Sequence, residues 1–218
     1  MSLQSGDWRD DVDDVDAALI DGYQSDFPIA ERPFRVVADD LGTTESDALE
    51  RVERLRETGV FRRFGAVLNP PVIGSSTLAA VAAPDDRDHE WNMWFVVTAG
   101  SRETRDGIIA EIEDRTGLDV LVLPMLTDYY IDLEFPVVNA DRFARESFAE
   151  TDASATRISE DAAADLSALD RRILLEIQEG FPLSATPYRD IADAVDADVG
   201  DVLAAIEGLL ADGCIKRI

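Results

Sequence analysis

This chain has little of what most often advertises chemistry. Cys214 is its one cysteine, so no disulfide framework and no Cys-x-x-Cys metal site can form within it. That thiol reads as a small buried hydrophobe. His89 is the one histidine, so any imidazole chemistry falls to it. Lysine is represented by Lys216 alone, and arginine supplies the rest of the 20 basic residues against 46 acidic ones, for a net charge of −26. An excess of Asp and Glu with almost no lysine reads as a hydrated surface suited to a high-salt cytoplasm, a halophilic signature. A surface this negative repels phosphate backbones, and high salt weakens nucleic-acid contacts further. No apolar run reaches the length of a membrane span. The first residues, Met1 to Asp14, are acidic and lack an apolar core. They read as a disordered leader, neither signal peptide nor anchor, and the expectation is a soluble cytoplasmic protein.

What is present is a folded pattern: 46% of the 218 residues are hydrophobic, enough for one or two buried cores. Val15, Leu19 and Tyr23 recur at helical spacing, with Asp16 where a carboxylate suits the helix dipole. Phe27-Pro28 closes that helix. Pro33 opens a second, with Phe34, Val37, Ala38 and Leu41 on one face and Gly42 as its stop. Thr43 to Asp47 offers caps for a third, with Leu49, Val52 and Leu55 inward and Gly59 after it. Val60 to Phe64 reads as a short strand or wing. Three helices and a β-wing over residues 15–64 make a winged helix-turn-helix.

The unit returns near the end. Residues 169–218 match 15–64 without a gap, at an offset of about 154 residues. Phe27-Pro28 answers Phe181-Pro182, Pro33 answers Pro187, Ala38-Asp39 answers Ala192-Asp193, and Gly59 answers Gly213. Agreement at structurally explicable Gly and Pro positions points to duplication.

Between the copies, residues 65–138 read as an α+β sandwich. Strands are expected at Gly65–Asn69 and Ser76–Ala83 around a Pro70-Pro71 turn, at Trp94–Thr98, and at Val120–Leu123. Ser101 caps a helix over about 102–116, ended by Gly117. Two adjacent strands and a helix-to-strand return suggest a ferredoxin-like domain, shortened near 84–89 because its second helix finds no room there. Residues 139–168, rich in Ala, Ser, Thr, Asp and Glu, read as a linker. The chain reads as a duplicated protein that stops at its second wing.

His89-Glu90-Trp91-Asn92-Met93-Trp94-Phe95 concentrates the rare residues: the histidine and two of the three tryptophans. Trp94 to Thr98 reads as buried β. Alternation sets Trp91 and Trp94 on different faces, so at least one belongs to the core. In isolation the stretch is an edge strand with core aromatics, or a face for a planar ligand.

A winged helix followed by a ferredoxin-like domain of the ligand-binding type resembles the Lrp/AsnC family, and the details resemble its siroheme decarboxylase branch. The motifs are Asp26-Phe27-Pro28-Ile29 with Arg32-Pro33-Phe34, then Gly59-Val60-Phe61-Arg62-Arg63-Phe64-Gly65-Ala66-Val67, then the His89–Phe95 stretch, then Val122-Leu123-Pro124-Met125-Leu126. They span residues 15–135 and recur in part over 169–218. The family usually carries a His-Asn-Tyr-type segment before the position of His89, and here Arg87-Asp88 stands there instead.

The resemblance implies removal of the two acetate carboxyl groups of siroheme, giving didecarboxysiroheme in haem biosynthesis. Siroheme is the substrate, no added cofactor is needed, and two subunits or fused halves cooperate as a homo-oligomer or pseudo-dimer. His89 would be the catalytic acid or a ligand of the substrate iron. Arg62 and Arg63 would hold carboxylates, as Lys216 and Arg217 would in the second copy. Trp91 or Trp94 would pack on the macrocycle, and Asn92 would bind a propionate or fix a loop. Tyr129 and Tyr130 are possible second acids. The alternative is a DNA-binding regulator of the same family, with recognition helices at about Ser46–Thr58 and Gly200–Asp212. The first offers Arg51, Arg54 and Arg56, while the second has no basic residue. No specific DNA binding and no membrane partner are expected.

Overall fold

The computed structural model describes residues 12–84, 89–129, 155–157 and 165–218. In chain order its elements are α1 (Asp14–Gly22), α2 (Pro33–Leu41), α3 (Glu45–Glu57), β1 (Val67–Leu68), α4 (Pro70–Ile73), β2 (Ser75–Val81), β3 (Met93–Ala99), α5 (Arg102–Thr116), β4 (Val120–Pro124), β5 (Thr127–Tyr129), β6 (Ala155–Arg157), α6 (Ala168–Ile177), α7 (Pro187–Ala194), α8 (Val199–Ala211) and β7 (Ile215–Arg217). They fall into two compact units, one holding both winged-helix copies and one holding the sandwich. The expected leader lies largely outside the described residues, as does most of the linker.

In the winged-helix unit, local signals set the helix limits. Asp13 caps α1 in a reciprocal box with Asp16, and Ser167 does the same for α6 with Asp170. Pro33 and Pro187 open α2 and α7, where a missing N–H costs nothing. Gly42 ends α2 in the left-handed conformation.

The inward faces of the three helices make each copy's core, Phe34, Val37, Ala48, Val52 and Leu55 in the first and Tyr188, Ile191, Val202, Ile206 and Leu209 in the second. Aromatic rings join the copies. Phe27 meets Phe34 and Phe64 at centroid distances of 5.2 and 4.8 Å, and Phe64 meets Phe181 at 5.9 Å, which in turn meets Tyr188 at 5.5 Å. Each such edge-on pair contributes about 0.5–1.5 kcal/mol beyond its buried area.

The backbone repeats this cross-over. Phe181 N–H donates to the Phe64 carbonyl at 2.8 Å, and Phe27 N–H donates to the Ile218 carbonyl at 3.1 Å. These two bonds exchange under the repeat, so the copies are related by an internal pseudo-twofold.

The expected strand at Val60–Phe64 is not formed. The strand lies at β1, which pairs antiparallel with β7, Val67 opposite Arg217. Gly65, at φ 140°, lets the chain bend between wing and strand. The expected Pro70-Pro71 turn is also corrected. The prolines open the one-turn helix α4, as prolines at a first helical position do.

In the sandwich unit, β2 is the central strand of an antiparallel sheet ordered β3-β2-β4. One face carries Ala79, Phe95, Val97, Val120 and Val122 and packs on Ile109 and Ile112 of α5. Ser101 caps α5 and Gly117 ends it. The buried Arg105 of α5 donates to Ser75 Oγ at 2.9 Å and fixes the helix against the start of β2. Strands β5 and β6 form a separate pair.

Candidate functional site

The second face of the three-stranded sheet carries exposed apolar side chains around the fully buried Ala80. Register brings Leu78 opposite Val96 and Leu123, and Ala80 opposite Trp94 and Leu121. Trp94 is 49% and Val96 65% exposed, and Leu78 and Leu123 are also open. The expectation of a buried β3 therefore fails for this face. Only Val97 of β3 is buried, on the face that packs against α5. Neither Trp91, half-buried, nor Trp94 is a core residue, which corrects the expectation that at least one would be.

At the rim of this face the chain folds back on itself before β3. Asn92 is the clamp. Its side-chain amide donates to the Ala83 carbonyl at 2.8 Å, and its Oδ1 accepts from Ala83 N–H at 2.9 Å. Both ends of the amide are thus bonded to the backbone of one residue just past β2, and a two-point contact fixes the hairpin's end. Of the two roles expected for Asn92, the geometry shows the loop-fixing one.

The clamp sets the Trp91 peptide, and two rings converge on it. Trp91 N–H donates to His89 Nδ1 at 3.1 Å, and the Trp91 carbonyl lies 3.0 Å from the same nitrogen. That carbonyl also accepts from Trp94 Nε1 at 3.1 Å. A neutral ring with its proton on Nε2 accepts from the N–H. A ring protonated at Nδ1, neutral or cationic, donates to the carbonyl. One residue's backbone therefore serves every protonation state of His89, which is itself exposed. His89, Trp91 and Trp94 form one cluster with Asn92 beneath it.

Arg62 and Arg63 belong to the other unit. Arg62 is exposed. Arg63 donates to the Gln178 carbonyl at 3.2 Å and to the Ala66 carbonyl, so its guanidinium ties the wing to the second copy. Tyr129's side chain and Tyr130 lie outside what is described. The residues that sequence reasoning missed are Leu78, Val96 and Leu123. Their signal was the i, i+2 spacing of Leu78-x-Ala80, Trp94-x-Val96 and Leu121-x-Leu123, which marks a second apolar face.

The family described as the siroheme decarboxylase NirDL-like HTH domain matches residues 16–62 and again 170–215. The siroheme decarboxylase NirDL subunit of Paracoccus denitrificans is 31% identical over 230 residues, covering 95% of this chain and 66% of that one. The siroheme decarboxylase NirD subunit of Pseudomonas aeruginosa is 40% identical over 146 residues, covering 58% of this chain and 97% of the relative. The chain belongs to the siroheme decarboxylase family. Its fold is shared with the crystal structure of a siroheme decarboxylase NirDL, at a TM-score of 0.70, 18% identity, and coverage of 94% of this chain and 64% of that one. The chain thus spans about two thirds of the length of the NirDL proteins it matches.

In this member of the siroheme decarboxylase family, two of the three arginines of α3 are turned to the protein's own carboxylates, while Arg56 is exposed. Arg51 bonds Asp13 and Asp16, each at 2.8 Å, and Asp47 at 2.7 Å. Arg54 reaches Asp16 at 2.5 Å. Asp16 is only 1% exposed, so these ion pairs clamp α1 to α3. The Arg51 guanidinium bonded to Asp13 holds that carboxyl down at about 2. The matching positions in the second copy are Ala205 and Gly208, so α8 has no such clamp. Cys214 is buried after α8, and burial pushes its thiol up, as befits a packing residue.

Proposed function

We propose that this protein is a siroheme decarboxylase, a carboxy-lyase that removes the two acetate carboxyl groups of siroheme to give didecarboxysiroheme. The observation that carries the reading is the convergence of His89 and Trp94 on one peptide, at the rim of an open apolar sheet face. A macrocycle with eight carboxylates asks for a flat apolar wall and a proton donor, and this cluster supplies both.

In each step the bond from the methylene to its carboxylate breaks and carbon dioxide leaves. The electron pair stays on the methylene, spread into the pyrrole system, and one proton completes the methyl group. No electrons enter or leave, so the substrate needs no redox partner for this step. His89 is the proposed acid. As an imidazolium it donates Nδ1–H to the Trp91 carbonyl and gives its proton from Nε2. After transfer the same bond holds the neutral ring, so delivery requires no ring movement. Ligation of the substrate iron through Nε2 uses the same tautomer. Trp94, with Leu78 and Val96, is the proposed wall, and Trp91 contributes through its backbone. Asn92 acts as a positioning residue. Arg62 is the proposed carboxylate anchor from the wing, with Arg63 directed by its backbone bonds.

Siroheme is substrate here, not cofactor. We place the protein in the cytoplasm as a homo-oligomer or pseudo-dimer of cooperating halves, with no membrane partner and no DNA. Among the described residues no helix is long and apolar enough to cross a membrane. The ion-paired arginines of α3 favour this reading over the regulator.

The test is anaerobic mixing of the chain with siroheme at high salt. A shift of the siroheme spectrum and loss of two carbon dioxide per siroheme are expected. The His89→Ala variant should lose about 10²–10⁴-fold in rate if His89 is the acid. Absence of any spectral change with the wild-type chain overturns the proposal.

A further inference from the structure

The apolar face of the sandwich sheet ends in a polar row. Register arranges the face in three rows across the strands. Trp94, Ala80 and Leu121 make the first, and Val96, Leu78 and Leu123 the second. Thr98 of β3 and Ser76 of β2 stand opposite each other in the third. Their hydroxyls lie 3.1 Å apart, and either can donate to the other. Thr98 is exposed and Ser76 half-buried, so the pair is reached from the side on which Trp94 and Val96 are exposed.

Two hydroxyls carry two O–H donors, and the bond between them uses one. The other is left for an acceptor above the sheet. A carboxylate accepts without donating, and a hydrogen bond to an ionised group is stronger than one to a neutral group. The bond between the hydroxyls also orders both side chains before anything arrives, so little freedom is lost on binding.

Position gives the pair its use. Four residues of extended β3 separate Thr98 from Trp94, about 13 Å along the strand. His89 stands at the Trp94 end, bonded to the same Trp91 peptide that accepts from the Trp94 indole. The face thus has an imidazole end and a hydroxyl end, with an aliphatic row between them. A tetrapyrrole with eight carboxylates carries two on each of its four rings. Laid flat on the aliphatic row with one acetate at His89, it brings the carboxylates of the diagonal ring to the hydroxyl end.

We propose that Ser76 and Thr98 form a carboxylate anchor that fixes how the macrocycle is turned on the sheet. The anchor rests on the decarboxylase reading, from which it takes the wall and His89. It holds a group that does not react, so it binds ground state and transition state alike. Its loss therefore appears in affinity, whereas loss of His89 appears in kcat.

A Ser–Thr pair across two strands also stabilises a sheet by itself, so the test turns on the sign of a charge. Thr98→Asp and Thr98→Lys both remove the pair's bond at one exposed position, and only their charges differ. Siroheme affinity of the full chain is read anaerobically from the spectral shift, and kcat from carbon dioxide release. Thr98→Val should raise Kd about tenfold, the worth of a hydrogen bond to a charged group, and leave kcat nearly as it was. Ser76→Ala should match it, and Thr98→Ser, which keeps the hydroxyl, should stay close to the wild-type chain. Thr98→Asp should weaken binding beyond Thr98→Val, and Thr98→Lys should restore it. Lowering the salt should widen the gap between Asp and Lys. If Asp and Lys shift Kd in the same direction, if Thr98→Val binds as the wild-type chain does, or if its loss falls on kcat, the anchor is overturned and the decarboxylase reading stands. Absence of any spectral change with the wild-type chain overturns both.

Discussion

The two winged-helix copies share helices, caps and loop, yet they are held together by different forces. In the first, α1 and α3 are joined by charge, with Asp16 buried beneath Arg51 and Arg54. In the second, α6 and α8 are joined by Ile173, Ile177, Val202, Ile206 and Leu209, and the acidic counterpart Asp170 serves as a helix cap. A single duplicated fold thus accommodates an ionic seam and an apolar one. Arg51 and Arg54 of α3 thus stabilise the protein's own fold.

The largest expected effect separates the two seams directly. Asp16→Ala removes the buried acceptor shared by two guanidiniums, and because Arg51 keeps Asp13 and Asp47 the loss is that of charge-assisted hydrogen bonds, about 1.5–3 kcal/mol. Asp170→Ala removes a capping contact at the matching position, worth about 1 kcal/mol. Urea unfolding of both variants at one salt concentration checks the ratio. Equal losses would mean that the ionic seam contributes no more than a cap.

Next comes the junction between the copies. Gly65→Ala puts a Cβ against backbone at a φ of 140°, a region that L-residues rarely enter. A loss of about 1–3 kcal/mol is expected. Gly59→Ala, at φ 79° in open space, is the control and should lose about 1 kcal/mol or less. A smaller asymmetry is the Tyr188 hydroxyl, which donates to the Pro28 carbonyl at 3.0 Å where the first copy has Phe34. Tyr188→Phe makes the copies alike and should cost about 0.5–1.5 kcal/mol, the worth of one hydrogen bond. Thermal unfolding of the two variants ranks them.

Much of this was legible in the sequence because its cause is local. Pro33, Gly42, Thr44, Ser101 and Gly117 each mark a helix limit through their own backbone preferences, and the duplication is written in the spacing of Phe-Pro and Gly. The ionic clamp was not legible. Asp16 read as a favourable dipole charge and Arg51 as a basic residue of a candidate recognition helix, because the contact spans 35 residues. Its one trace is the i, i+3 spacing of both Asp13/Asp16 and Arg51/Arg54, which puts each pair on one helix face. The open sheet face was misread for a different reason. The alternation of β3 fixes which residues share a face, but exposure depends on what covers that face. At the site, residue types singled out His89, Trp91, Asn92 and Trp94. The work of Asn92 as a clamp and of Trp91 through its peptide lies in backbone geometry that no side-chain pattern encodes.

Acid sharpens the comparison with the gentlest perturbation. Asp13 is held at about 2, below its ordinary 3.8, first by its bond to Arg51 and then by the α1 backbone. Asp47 is also lowered, by the Thr43 hydroxyl and then by Arg51. A depressed carboxyl stabilises the fold fully above its unfolded value and loses that contribution as pH falls through the folded one. The window therefore runs from about 4 down to about 2. Within it, exchange protection of α1 amides should fall before that of α6 amides, because no guanidinium of α8 holds α6. In the double variant Arg51→Met, Arg54→Met the lag should disappear, since both copies then rest on apolar contacts and caps. If α1 and α6 lose protection at the same pH in the wild-type chain, the two seams are not thermodynamically distinct.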